Sequence, residues 1–208
     1  MPNDLIPPSL LTRRAVTLGL LAGAAVLALP WQPAQALDVN TARNLVTRAI
    51  DEVNRIINSG RSEQQMYGDF ERMFVQYADV PAIARTALGV AGRGASRAEM
   101  AAFTKAYQGY ISRKYGSRFR EFIGGEIKVT DARPLKSSVE VISTAYLRGE
   151  APFELRWHVS DKGGKPMFFN IIIEGVNMLA SERTEIGAML DRQRGSIAGL
   201  TEALKTAR

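Results

Sequence analysis

Between residues 40 and 122 the apolar positions recur every three or four residues, between 127 and 173 they recur every second residue, and beyond 181 the first spacing returns. A period near 3.6 lines apolar side chains along one stripe of a helix, and a period of two places them on one face of a strand. The chain therefore reads as helices, then an antiparallel sheet, then helix, an α+β order. Its clearest stretch is Phe153 to Glu182. Phe153, Leu155, Trp157 and Val159 alternate with Glu154, Arg156, His158 and Ser160, as in a half-buried strand. The turn-forming run Asp161-Lys162-Gly163-Gly164-Lys165-Pro166 follows, and Met167 to Ile173 is almost continuously apolar, as a return strand covered on both faces or facing an apolar cavity would be.

Punctuation places the helices. Ala42, Leu45, Val46, Ala49, Ile50, Val53, Ile56 and Ile57 predict a helix over 40–57 that Ser59-Gly60 stops, and Met66, Phe70, Met73, Phe74 and Tyr77 predict a second over 63–77. Asp79-Val80-Pro81 reads as the start of a short helix that ends at Gly89, since Pro suits a first-turn position and Asp can cap it. Gly92 to Gly94 reads as a flexible joint. Ser96 and Glu99 form a capping box that opens the longest helix, expected to reach about Phe122 and so to be about 40 Å long. Gly109 and Gly116 mark a bend or a close crossing within it. Ile127 to Thr130 and Val139 to Leu147 carry two more strands. After Ile173 a short irregular or strand-like piece leads to a helix over Ser181–Arg194 and a weaker one through Ile197, Leu200 and Leu204. The expected fold is a helical layer packed on a strongly twisted antiparallel sheet of about four strands.

The N-terminus changes the picture. Arg13-Arg14, the weakly polar run Leu18 to Leu29 and Ala34-Gln35-Ala36 have the order of an export signal, and the paired arginines suggest the twin-arginine route. Residues 1–36 are expected to be removed after Ala36, leaving 37–208 as a single domain. The apolar run of about 12 to 15 residues is shorter than the roughly 20 that cross a bilayer. Residues 1–36 carry two arginines and one aspartate, so their removal takes the formal net charge from +6 to +5. That balance suits anionic headgroups or an acidic partner; no base-reading motif is present and nucleic acid is not expected. The sequence has no cysteine, which excludes thiolate catalysis, thiolate zinc sites and disulfides.

Little chemistry remains. His158 is the single histidine, and neither a serine elbow nor a metal-ligand spacing accompanies it. Asp69 with Glu71, and Glu182 with Glu185, read as solvated helical carboxylates. What stands out is a surplus of large, adaptable apolar side chains. Met66, Phe70, Met73, Phe74, Phe103, Tyr107, Tyr110, Ile111, Phe119, Val141, Trp157, Phe169, Ile171, Ile173 and Val176 are candidates to line an apolar cavity able to take acyl chains, and each also reads as ordinary core. Arg93, Lys114 and Arg118 are candidates for the cavity mouth, where they would meet a phosphate headgroup or a partner.

Two segments carry a resemblance. Trp157 through Ile173-Glu174-Gly175-Val176-Asn177-Met178, on to Glu182-Arg183-Thr184-Glu185-Ile186, resembles a signature in which a strand runs into I-E-G-V-S-x and then an R-S-x-F helix start. Ala87-Leu88-Gly89 with Arg93, Ser96 and Phe103 resembles L-G-x-x-W-R-x-A-S/T-P-E-Q-x-x-x-F, with Gly92 where many members carry Trp. On these residues the chain, over about 38–206, is similar to the MlaC-like, or toluene-tolerance, family of periplasmic phospholipid carriers. The resemblance implies a nuclear-transport-factor-2-like (NTF2-like) fold with acyl tails in an apolar cavity. It implies a soluble periplasmic lipid carrier rather than an enzyme, with phospholipid as ligand and no other cofactor. It also implies two membrane partners, an inner-membrane transporter bearing a mammalian-cell-entry domain and an outer-membrane lipoprotein-porin complex, which together maintain outer-membrane lipid asymmetry. The alternatives on the residues alone are an exported adaptor that binds protein through a basic face, or an enzyme on such a fold.

Overall fold

The computed structural model describes residues 37–117 and 122–207. Its elements run α1 (Val39–Ile57), α2 (Glu63–Tyr77), α3 (Val80–Leu88), α4 (Ala91–Gly94), α5 (Arg97–Gly116), β1 (Glu126–Leu135), β2 (Ser138–Tyr146), β3 (Phe153–Ser160), β4 (Met167–Ile173), β5 (Val176–Asn177), α6 (Met178–Arg192) and α7 (Ile197–Thr206). The export signal expected over 1–36 lies outside the described residues.

Capping sets the helix starts. Asp38 accepts from the Thr41 amide at 2.8 Å and opens α1, whose apolar stripe, Ala42 through Ile57, is buried throughout. Ser62 and Gln65 close a capping box on α2, and Ser96 and Glu99 close the expected one on α5, at 3.2 and 2.9 Å. Asp79 caps α3, with Pro81 in its first turn, and Gly89 ends it at φ 65°, a conformation that suits glycine. The expected joint at 92–94 is instead part of a helical turn, α4, with Gly92 buried. Helix α5 ends at Gly116, so its twenty residues span about 30 Å rather than 40. Gly116 is a close crossing: a Cβ there would stand 2.6 Å from Cδ1 of Tyr67 on α2.

The sheet is a meander in the order β1-β2-β3-β4-β5, antiparallel at every step. The expectation of about four strongly twisted strands is therefore corrected. A fifth strand exists because Glu174 and Gly175 both adopt positive φ, 49° and 81°, and turn the chain back so that Val176 and Asn177 pair with Ile173 and Ile172. The sheet is not strongly curled or closed. Each strand pairs only with its sequence neighbours, so β1 and β5 remain edges, whereas closure needs a pairing that joins them. Lys128, Arg133 and Pro134 discourage another chain from pairing with the β1 edge. Register slips twice, between Val129 and Asp131 and between His158 and Val159.

Helix α1 lies on the sheet, α3 and α6 reach β4, and α5 packs on α2, α3 and α7. Large side chains of α1, α2, α3 and α5 and of the strands form one buried cluster. Two hollows among the described residues are open grooves. One of about 320 Å³ is bordered by Pro81, Arg85, Met100 and Gln108, and one of about 420 Å³ lies between α5 and α7 beside Gly109, Arg113 and Lys205. Neither contains an expected lining residue. Among the described residues no helix is long and apolar enough to cross a membrane.

Candidate functional site

Phe103, Tyr107 and Tyr110 project from one stripe of α5, because steps of four and three residues return to the same helix face. Their rings form a column, Phe103 on Tyr107 at 5.7 Å and Tyr107 to Tyr110 at 6.2 Å, and all three are almost fully buried. The sheet contributes Trp157 and Phe168, edge to face at 5.3 Å, and Phe74 of α2 reaches Phe168 at 6.3 Å. The indole N–H of Trp157 donates to Ser143 Oγ at 2.9 Å, which satisfies a hydroxyl with no access to solvent. Val141, the cross-strand partner of Trp157, and Met66, Phe70, Met73 and Ile111 complete this core.

The structure thus brings Met66, Phe70, Met73, Phe103, Tyr107, Tyr110, Ile111, Val141 and Trp157 into one cluster, with half-buried Phe74, Ile171 and Ile173 against it. Phe169 sits at the margin, its ring tilted on His158 at 5.8 Å. Val176 is 55% exposed on β5. Phe119 and Arg118 lie outside the described residues. Phe168 was missed by sequence reasoning. The slip between His158 and Val159 pairs Phe168 with Val159 and Asn170 with His158, skipping Phe169, and it delivers Phe168 to Trp157. An almost continuous apolar run gives no sign of a bulge.

At the upper end of the aromatic column, one more turn along α5, stands Lys114. Its ammonium donates to Glu182 Oε1 at 2.7 Å and to Glu185 Oε2, and lies 5.4 Å from the ring centroids of both Tyr110 and Tyr115. Tyr110 donates to Glu185 Oε1 at 2.7 Å and Tyr115 donates to Glu182 Oε1. Long side chains span this seam between α5 and α6. Burial, reinforced by hydrogen bonds to the carboxylates, pushes the Tyr110 and Tyr115 hydroxyls far up, so both remain donors. Burial also works against charge on Glu185, but hydrogen bonds from Lys114 and Tyr110 outweigh it and hold the carboxyl below its usual range. The Lys114 ammonium is likewise disfavoured by burial and, on balance, raised by its bonds to Glu182 and Glu185. Three buried side-chain oxygens, Tyr107 OH, Glu182 Oε2 and, on α1, Asn54 Oδ1, have no hydrogen-bond partner among the described residues.

The two acidic pairs expected to be solvated divide. Asp69 and Glu182 are buried, Asp69 bonded to Arg61 at 2.6 Å and to Arg72. A signal for Glu182 existed: it precedes Ile186 by four residues and Met189 by seven, on the buried stripe of α6. His158 lies half-buried with Nε2 3.4 Å from Glu140 Oε1, and Arg133 binds the same carboxylate. Arg93 is exposed on α4. No group of three or more metal-binding side chains occurs among the described residues.

The family model of the MlaC protein matches residues 47–206, from within α1 to the end of α7. The chain belongs to the MlaC family. The fold agrees with that of a solved phospholipid-binding protein from Ralstonia solanacearum, determined in complex with a phospholipid. Identity is 20%, the TM-score is 0.67, and the alignment covers 78% of this chain and 94% of the other.

Proposed function

We propose that this MlaC-family protein is a soluble periplasmic phospholipid carrier that holds acyl chains between α5 and the sheet. Family membership over residues 47–206 carries the reading. The Ralstonia protein, which shares the fold, binds a phospholipid. The interior supports it in kind: its walls are aromatic and methionine side chains that can repack around a flexible guest, and no covalent chemistry is arranged among them. The protein works as a carrier, not an enzyme. Each methylene kept from water contributes about 0.8 kcal/mol, so a chain leaving a bilayer needs an interior that shields it about as completely as the membrane did. Phe70, Phe103, Tyr107 and Trp157 are the proposed tail contacts, and Arg93, with Arg118, a headgroup or partner contact.

Residues 1–36 act in this reading as a cleaved export signal. The partners are an inner-membrane transporter with a mammalian-cell-entry domain and an outer-membrane lipoprotein-porin complex. The test is native mass spectrometry of residues 37–208, followed by solvent extraction and lipid analysis. About one diacyl phospholipid per chain is expected; an empty protein that takes up no lipid from vesicles would sink the reading.

A further inference from the structure

The seam between α5 and α6 holds an ammonium site. Two carboxylates, Glu182 and Glu185, and the rings of Tyr110 and Tyr115 surround one primary ammonium, that of Lys114. Charge-assisted hydrogen bonds and ring faces are the groups that recognise such a cation. The cage is graded from buried to open. Glu182 is 3% exposed, the Lys114 side chain is 19% exposed and the Glu185 side chain is 44% exposed, so the cage opens outward past Glu185. Its floor is unfinished, because Glu182 Oε2 and Tyr107 OH still lack partners among the described residues. Below Tyr107 the ring column leads into the apolar interior. Two carboxyl groups face one ammonium here, so acidic groups outnumber basic ones in the cage.

We propose that this cage is a subsite for a primary alkylammonium headgroup, that of an ethanolamine phospholipid, and that Lys114 occupies it in the unloaded state as an internal stand-in. The inference rests on the carrier reading and adds headgroup selectivity to it. On loading, the headgroup ammonium replaces that of Lys114 between the carboxylates and completes Glu182 Oε2, and the flexible lysine stem swings outward to meet the phosphate diester. A zwitterionic headgroup fits this exchange of partners. A glycerol headgroup leaves an anionic phosphate beside a cage in which acidic groups outnumber basic ones, and a quaternary choline cannot donate to Glu182 Oε2.

The experiment equilibrates residues 37–208 with vesicles containing equal phosphatidylethanolamine, phosphatidylglycerol and phosphatidylcholine, and analyses the lipids bound to the re-isolated protein. Wild type should be enriched in ethanolamine lipid by about two- to fivefold over either competitor, the range expected for a partly exposed cation in an aromatic site. Glu185→Gln removes one charge at constant volume on the open side, and should bring that ratio near one. Lys114 should also react faster with an amine-acetylating reagent in protein loaded with ethanolamine lipid than with glycerol lipid. Equal uptake of the three lipids by wild type, or an unchanged ratio in Glu185→Gln, overturns the subsite and leaves the carrier intact. Thermal stabilisation by free ethanolamine without lipid selectivity identifies a soluble-amine site and overturns the lipid assignment. Absence of any lipid uptake removes the carrier reading as well.

Discussion

Trp157 couples two requirements at one position, filling the interior with its ring and satisfying Ser143 with its indole N–H. Trp157→Phe keeps most of the volume but strands a buried hydroxyl, so a loss of about 1–2 kcal/mol is expected in urea unfolding. In a double-mutant cycle the loss should shrink when Ser143→Ala is already present. Gly116 is as tightly constrained from the opposite side. A methyl group at 2.6 Å from the Tyr67 ring must displace it, and Gly116→Ala should destabilise by about 1–3 kcal/mol in the same assay. Glu185 gives a pH signature. Its folded carboxyl titrates below the usual range, so its contribution is present above the ordinary carboxylate pKa and disappears as pH falls through the lower, folded value. Acid unfolding curves of Glu185→Gln should therefore lose stability less steeply below about pH 4.5 than wild type.

At the scale of elements, the two capping boxes are separate devices on α2 and α5, and Ser62→Ala and Ser96→Ala should each cost about 1 kcal/mol and add. Circular dichroism melts of the single and double variants check this. The Ser96 box was legible in the chain, as were the stripe of α1, the limits of α2 and the hairpin of β3 and β4, because each repeats one period over many residues. Strand β5 was legible only as an irregular or strand-like piece, since two residues carry no period. The exchange of Phe168 for Phe169 escaped, because a bulge is set by pairing with β3 and leaves no mark in an apolar run. Glu182 shows the limit of reading polar residues as solvent-facing: its place on the stripe of Ile186 and Met189 was visible, but its partners, Lys114 and Tyr115, lie more than sixty residues away. The aromatic lining could be named from composition. Whether it encloses space or fills it depends on how closely α5 approaches the strands, and spacing along a chain does not encode that distance.

For the molecule as a whole, a ligand that binds only the folded state raises stability, by about 2.7 kcal/mol at a hundredfold excess over its dissociation constant. Lipid-depleted protein should melt at lower temperature than the same protein reloaded from vesicles, as read by differential scanning calorimetry. The meander has a consequence in time. Every strand pairs with the next, so each pairing closes a short loop, and the sheet can zip up hairpin by hairpin at little entropic expense. The helices do not share that advantage. Arg113 on α5 finds the backbone carbonyls of Leu204 and Ala207 only when the last turn of the chain arrives, more than ninety residues later. In a chain delivered from its N-terminus, the sheet is complete while one flank of α5 is still bare, and α7 is the last seam to be sewn.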